Sequence, residues 1–217
     1  MGDISSSGLA FRWLGAAGLF FQADGRGLLV DPFFTRPPIS SLLAFKRVAP
    51  DAALVACHTP PADHLLITHA HYDHLLDAPE VLRLTGARAF GSPNACALLR
   101  LHGLPEEQLV SVQPGDRLAL GPFTVEVFPG YHTHTPIDRW INGPLPRRLT
   151  TGRERPPLRL ADYRMDACFA FRIQTGGQSV LVGSHPIQAD THFLIPYQHS
   201  GSLRALHMNR PCCRPVN

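Results

Sequence analysis

Between residues 67 and 74 the chain reads ITHAHYDH, which places His69, His71, Asp73 and His74 within six positions. Neutral imidazoles and carboxylates are the ligands a divalent transition cation takes at ~2.0–2.2 Å. One histidine in an apolar setting is ordinarily structural; three with an aspartate in so short a run form a metal-site pattern. His69 and His71 stand two apart, and on an extended segment residues i and i+2 face the same way. Both imidazoles therefore point into one pocket. Asp73 and His74 follow where the strand must turn into a loop, free to swing toward a neighbouring point. Two such ligand pairs describe a two-metal site.

The run needs a strand to deliver it, and HLLIT (64–68) is a compact apolar one. Upstream, LAFRWL (9–14), AGLFFQA (17–23) and GLLVD (27–31) read as short strands, with Asp24-Gly25 suited to a hairpin turn. Downstream, DAPEVLRLTG (77–86) reads as a helix capped by Asp77 and ended by Gly86. SPNACALLRLHG (92–103) reads as another, with Ser92 at the N-cap, Pro93 in the first turn and Gly103 past the end. LVSV (109–112), RLAL (117–120) and FTVEVF (123–128) return to strand character and lead into PGYHTHTP (129–136). CFAFRIQT (168–175) and SVLVG (179–183) form a last pair around Gly176-Gly177. This order predicts an α+β fold of sheets flanked by helices.

Residues 138–164 stand apart, with seven arginines against Asp138, Glu154 and Asp162. A connection this long reads as a solvated excursion or as a lid carrying arginines toward an anionic substrate. At 217 residues, 44% hydrophobic and 17% charged, the chain has material for a sizeable core, and a net charge of +3 is too mild to argue for nucleic acid. No apolar run approaches the ~18 residues of a spanning helix. Five irregularly spaced cysteines with no CxxC pair predict a reducing, cytoplasmic setting and no disulfide framework.

HAHYDH resembles the H-x-H-x-D-H signature of the metallo-β-lactamase fold superfamily. WLGAAGLFFQADGRGLLVDPFF is similar to that family's first hairpin and its strand ending in Asp-Pro, here Asp31-Pro32. In the branch of the ascorbate-6-phosphate lactonases and N-acyl-phosphatidylethanolamine phospholipases, that opening often carries a histidine where this chain has Ala16. PGYHTHTP resembles the next metal-histidine turn, with His132 the better fit and His134 the second choice. DYRMDACFAFRIQTGGQSVLVGS resembles the strand pair leading to the fourth motif. The likeness covers about residues 9–184.

The resemblance implies a four-layer αβ/βα sandwich with metal in the cleft between its sheets. It implies zinc, as one or two ions, with manganese or iron as the other candidates. One ion would be held by His69, His71 and His132, and a second in part by Asp73 and His74. The metal would polarise the scissile bond of an ester, lactone or phosphodiester and lower the pKa of water toward ~7, so that hydroxide attacks. Asp73 would be the catalytic carboxylate, orienting that water or shuttling its proton. Asp31 would hydrogen-bond a ligand, or would simply be a turn residue before Pro32.

The family's bridging aspartate is replaced by Ser184, with His185 beside it as a weak substitute. Residues 185–217 carry no clear fifth motif. The division expected is therefore a metallo-β-lactamase-like domain over 1–184 and an atypical tail over 185–217, with the second lobe incomplete. A missing layer would bare apolar sheet and favour a homo-oligomer. It also leaves a second reading, a degenerate metal-binding protein without turnover. The expected partner is a small-molecule substrate, not nucleic acid or a membrane.

Overall fold

The computed structural model describes residues 9–38, 40–41 and 46–183, and residues 204–205 as one short strand. Its larger sheet begins with a meander: β1 (Ala10–Gly15), β2 (Gly18–Ala23) and β3 (Arg26–Val30) pair antiparallel in succession. Asp24 and Gly25 have φ of 45° and 74°, the positive pair that a tight two-residue hairpin turn requires. The chain then leaves for β4 (Arg47–Val48) and helix α1 (Ala52–His58), whose N-terminus the Asp51 carboxylate caps at Leu54 N. It returns to add β5 (His64–Leu66), β6 (Arg88–Gly91) and β7 (Leu109–Ser111), each parallel to its neighbour. Helices α2 (Tyr72–Leu75), α3 (Ala78–Thr85) and α4 (Pro93–Leu101) fill the crossovers. The smaller sheet is antiparallel and built from β8 (Arg117–Leu120), β9 (Phe123–Pro129), β11 (Phe169–Thr175) and β12 (Gln178–Gly183) in the order β12-β11-β9-β8.

Period-two alternation sorts the larger sheet's side chains between two cores. Phe20, Leu29, Leu65 and Ala89 face Val55, Val81, Leu82, Leu98 and Leu99 of the helices. Their neighbours Phe21, Leu28, Leu66 and Phe90 face Val125, Val127, Phe171 and Ile173 of the smaller sheet. Leu65 and Leu66 of β5 and Ile67 after it are wholly buried, each side chain contributing roughly 1.5–3 kcal/mol. Helix layer, sheet and sheet are thus stacked in the order the sandwich demands. The fourth layer is not among the described residues, and of the tail only the short strand β13 (Arg204–Ala205), parallel to β1, is described.

Three expectations are corrected. The outer face of the smaller sheet is mixed rather than uniformly apolar, with Phe128 exposed on it. Its centre carries Glu126 on β9 paired with Arg172 on β11, flanked by Thr124 and Gln174. The segment 138–164 is not a simple solvated excursion. It forms α5 (Asp138–Ile141), α6 (Arg147–Thr150) and β10 (Leu158–Arg159), which pairs with β4, and it buries Leu149, Leu158, Leu160 and Tyr163 in the helix-side core. Arg148 spends its charge on Glu154 and Asp162. Among the cysteines, Cys96 is a buried thiol, whereas Cys57 is disulfide-bonded. No helix among the described residues is long and apolar enough to cross a membrane.

Candidate metal centre

Because β3, β5 and β6 run parallel, their carboxyl ends open on the same edge, and the loops leaving them meet there. Asp31 leaves β3; Thr68 to His74 leave β5. The histidines lie just past the strand rather than on it. His71 is the extended N-cap of α2, with φ −67° and ψ 155°, and a single helical turn then carries Asp73 and His74, where the sequence predicted a loop.

The third histidine comes from the smaller sheet. Phe169 N donates to Thr68 O at 2.8 Å, pinning the start of β11 to the end of the β5 segment. Gly130 N donates to Cys168 O at 2.8 Å. A Cβ on Gly130 would lie 2.6–2.8 Å from the Phe169 backbone, so only glycine allows this approach. The turn that follows swings His132 over the cleft. One ring nitrogen from each of His69, His71 and His132 lies within 4.8 Å of the others. The His132 ring sits 5.0 Å from that of His69 and 4.6 Å from that of His71.

Hydrogen bonds fix which nitrogens are lone pairs. Asp31 is 1% exposed and accepts from Thr68 N at 2.8 Å, from the Thr68 hydroxyl and from His74 Nδ1 at 2.8 Å. The threonine proton being given to Asp31, the His69 Nδ1–H donates to Thr68 Oγ1 at 3.1 Å. His71 Nε2 faces Asn142 Oδ1 at 3.0 Å and Ile141 O at 3.2 Å. A backbone carbonyl only accepts, so His71 Nε2 carries the hydrogen. The remaining lone pairs, His69 Nε2 and His71 Nδ1, point at each other 3.1 Å apart. Two lone pairs repel at that distance unless a cation lies between them and draws on both. The donor set therefore fits a metal ion.

Burial pushes the pKa of His71 and of His132 below the ordinary imidazole value, and in His132 the neighbouring His71 adds to this. Both are thereby kept in the neutral form a metal requires. Burial opposes charge on His74 as well, but the Asp31 carboxylate outweighs it and raises that pKa. His74 Nε2, its lone pair, lies 3.7 Å from the Asp73 carboxylate, which is 45% exposed. Asp73 and His74 thus form a second donor pair beside the trio.

His134 does not join the group. Its side chain is 94% exposed and meets Asp138 across one helical turn of sequence. His185 and Ser184 lie outside the described residues. Asp77 sits at the N-cap of α3 but caps nothing there; its carboxylate instead accepts from Phe34 N at 2.5 Å and Thr35 N at 2.7 Å, tying down the loop after Asp31. Thr68 and Asn142 were not foreseen. Thr68 at least adjoins the histidine run, whereas Asn142 lies 71 positions from His71 in a segment with no motif.

The sequence pattern of the beta-lactamase superfamily domain matches residues 26–181. A UPF0173 metal-dependent hydrolase of Pyrobaculum arsenaticum is 32% identical over 127 residues, covering 58% of this chain and 51% of that protein. A UPF0173 metal-dependent hydrolase of Methylocella silvestris is 28% identical over 121 residues, covering 56% of this chain and 47% of that protein. The chain thus spans about half the length of the curated relatives it matches. Among solved structures, CmlA, a diiron beta-hydroxylase from Streptomyces venezuelae, shares the fold with a TM-score of 0.51 at 22% identity, covering 82% of this chain and 30% of that one.

Proposed function

The chain belongs to the beta-lactamase superfamily, and on that premise we propose that it is a zinc-dependent hydrolase of esters, lactones or phosphodiesters. The observation that carries the reading is the pair of opposed lone pairs on His69 and His71, 3.1 Å apart, with His132 closing the triangle. A cation held there would polarise the scissile group and lower the pKa of water toward ~7. The protein's own part is orientation and proton handling. Thr68 holds the His69 ring in the tautomer that leaves a lone pair inward. Asp31 does the same for His74. Asp73, half in solvent and beside His74 Nε2, would accept a proton from water in the cleft and pass it outward. Of the segment's arginines, Arg148 is tied up in internal pairs with Glu154 and Asp162.

One observation favours a second reading. Among the described residues only His69, His71 and His132 form a group of three potential ligands; Asp73 and His74 have no third. A single-metal protein without turnover would look like this. Metal analysis of the purified protein, scoring zinc, manganese and iron, decides between them together with turnover of generic lactone and phosphodiester substrates. About two ions per chain with turnover supports the hydrolase. One ion and no turnover supports the second reading. His69→Ala combined with His71→Ala should abolish both bound metal and turnover; hydrolysis surviving in that double variant overturns the assignment.

A further inference from the structure

We propose that Asn142 is a positioning residue for the metal centre, holding His71 in its metal-binding tautomer from a segment that no ligand motif reaches. The inference rests on the metal reading of the His69–His71–His132 group.

An imidazole offers either nitrogen to a metal, and the choice is made by what the other nitrogen bonds. For His71 that partner is a pair of oxygens, Asn142 Oδ1 at 3.0 Å and Ile141 O at 3.2 Å. Of the two, the Ile141 carbonyl is already engaged, accepting from Met165 N at 2.9 Å. The Ile141 carbonyl is thus shared between two donors, whereas Asn142 Oδ1 is the acceptor that His71 can orient on. It is also the shorter contact.

Asn142 is held rigidly enough to do this. It forms a bridge with Met165, and Gly143 N donates to Met165 O at 2.8 Å. From the start of α4, Asn94 Nδ2 donates to Gly143 O at 3.0 Å and to Arg164 O at 2.8 Å, clasping both ends of the 143–164 excursion. Asn94 N is itself fixed by Asp166 Oδ2 at 2.9 Å. The excursion leaves the site and returns to it at one point, and Asn142 sits at that point. Without its oxygen the His71 ring keeps only the longer, shared contact to Ile141 O, and the tautomer with its lone pair toward His69 is less firmly held.

The test measures zinc affinity of the full chain by competition with a chromophoric chelator, for wild type, Asn142→Ala and Asn142→Asp. The metal-free unfolding midpoint is measured alongside. Loss of a hydrogen-bond partner behind a metal histidine typically costs 10–100-fold in affinity, and Asn142→Ala should fall in that range. Asn142→Asp, which keeps an accepting oxygen, should recover to within about threefold of wild type. An Asn142→Ala affinity within about twofold of wild type overturns the proposal while leaving the metal site standing. So does an Asp variant as weak as the Ala variant. Wild-type protein that binds no zinc, manganese or iron overturns this proposal and the hydrolase reading together.

Discussion

Replacing Asp31 with asparagine should remove more stability than any other isosteric change near the cleft. Asp31 is a non-glycine residue with φ 43°, a backbone state that asparagine tolerates as well as aspartate does. The backbone contribution therefore cancels. The side chain loses its charge and half its accepting capacity. If the new amide NH2 took the Oδ1 position it would meet the Thr68 N–H, donor to donor, at 2.8 Å. The less costly orientation puts it at Oδ2, where the threonine hydroxyl can rotate to accept and His74 must give up its Nδ1 hydrogen, and with it its charge. Hydrogen bonds to a charged group contribute roughly 1.5–3 kcal/mol each, and breaking a buried ion pair costs about 3–5 kcal/mol. With one bond kept, a loss of about 3 kcal/mol follows, a large part of the roughly 5–15 kcal/mol of a typical domain. Urea unfolding of the metal-free protein reads it as a lower midpoint at unchanged slope. The sign with pH is also fixed. Because the folded pKa of His74 is raised, its ion-pair stabilisation is complete below the unfolded value and is lost as pH rises through the folded one, so the gap between wild type and variant narrows on the alkaline side. A loss under about 1 kcal/mol at pH 6 would refute the hub role of Asp31.

Gly130→Ala should drive a methyl group into the Phe169 backbone, which cannot give way without moving β11. Such overpacking costs typically 1–3 kcal/mol, and the His132 turn should shift with it, so both the thermal midpoint and zinc affinity should fall; wild-type values for both would contradict the close approach. His102 should supply an acid limb to stability. Burial, then the nearby Arg83 charge, pushes its pKa down to about 4. The folded state thus refuses a proton that the unfolded chain accepts below the ordinary value of 6.5. Stability should drop as pH falls across that window, by up to roughly 3 kcal/mol at 1.36 kcal/mol per unit. His102→Gln should flatten this limb relative to wild type, and an unchanged limb would remove His102 as its source.

What could be read from the sequence was local. The hairpins at Asp24-Gly25 and Gly176-Gly177, the Ser92 cap on Ala95 N and the left-handed Gly86 ending α3 all depend on residues a few positions apart. The histidine run announced itself for the same reason. What was missed depended on contacts at long range. The acid at Asp77 was expected to cap its own helix, but its carboxylate is drawn 42 and 43 positions away to the backbone of Thr35 and Phe34. The arginine-rich segment looked solvated because its charges are conspicuous in sequence, whereas its anchors, Leu149, Leu158, Leu160 and Tyr163, are too widely spaced to show a period. Helix α1 was overlooked although Asp51 caps it, since seven residues with one buried side chain give little amphipathic signal.

The parallel run β3-β5-β6 divides the larger sheet's connections into two populations. At one edge, Asp31 is bonded to Thr68 and His74, and Asn94 is bonded to Gly143 and Arg164 beside Asn142. At the opposite edge lie the returns into the strands, around Pro60–Ala62, Gly86-Ala87 and Gly103–Pro105, which touch none of them. Insertions at the exposed turn glycines there, Gly86 and Gly103, can change the outline of the protein while leaving the chemistry where it is. The fold thereby keeps the part that can drift apart from the part that cannot.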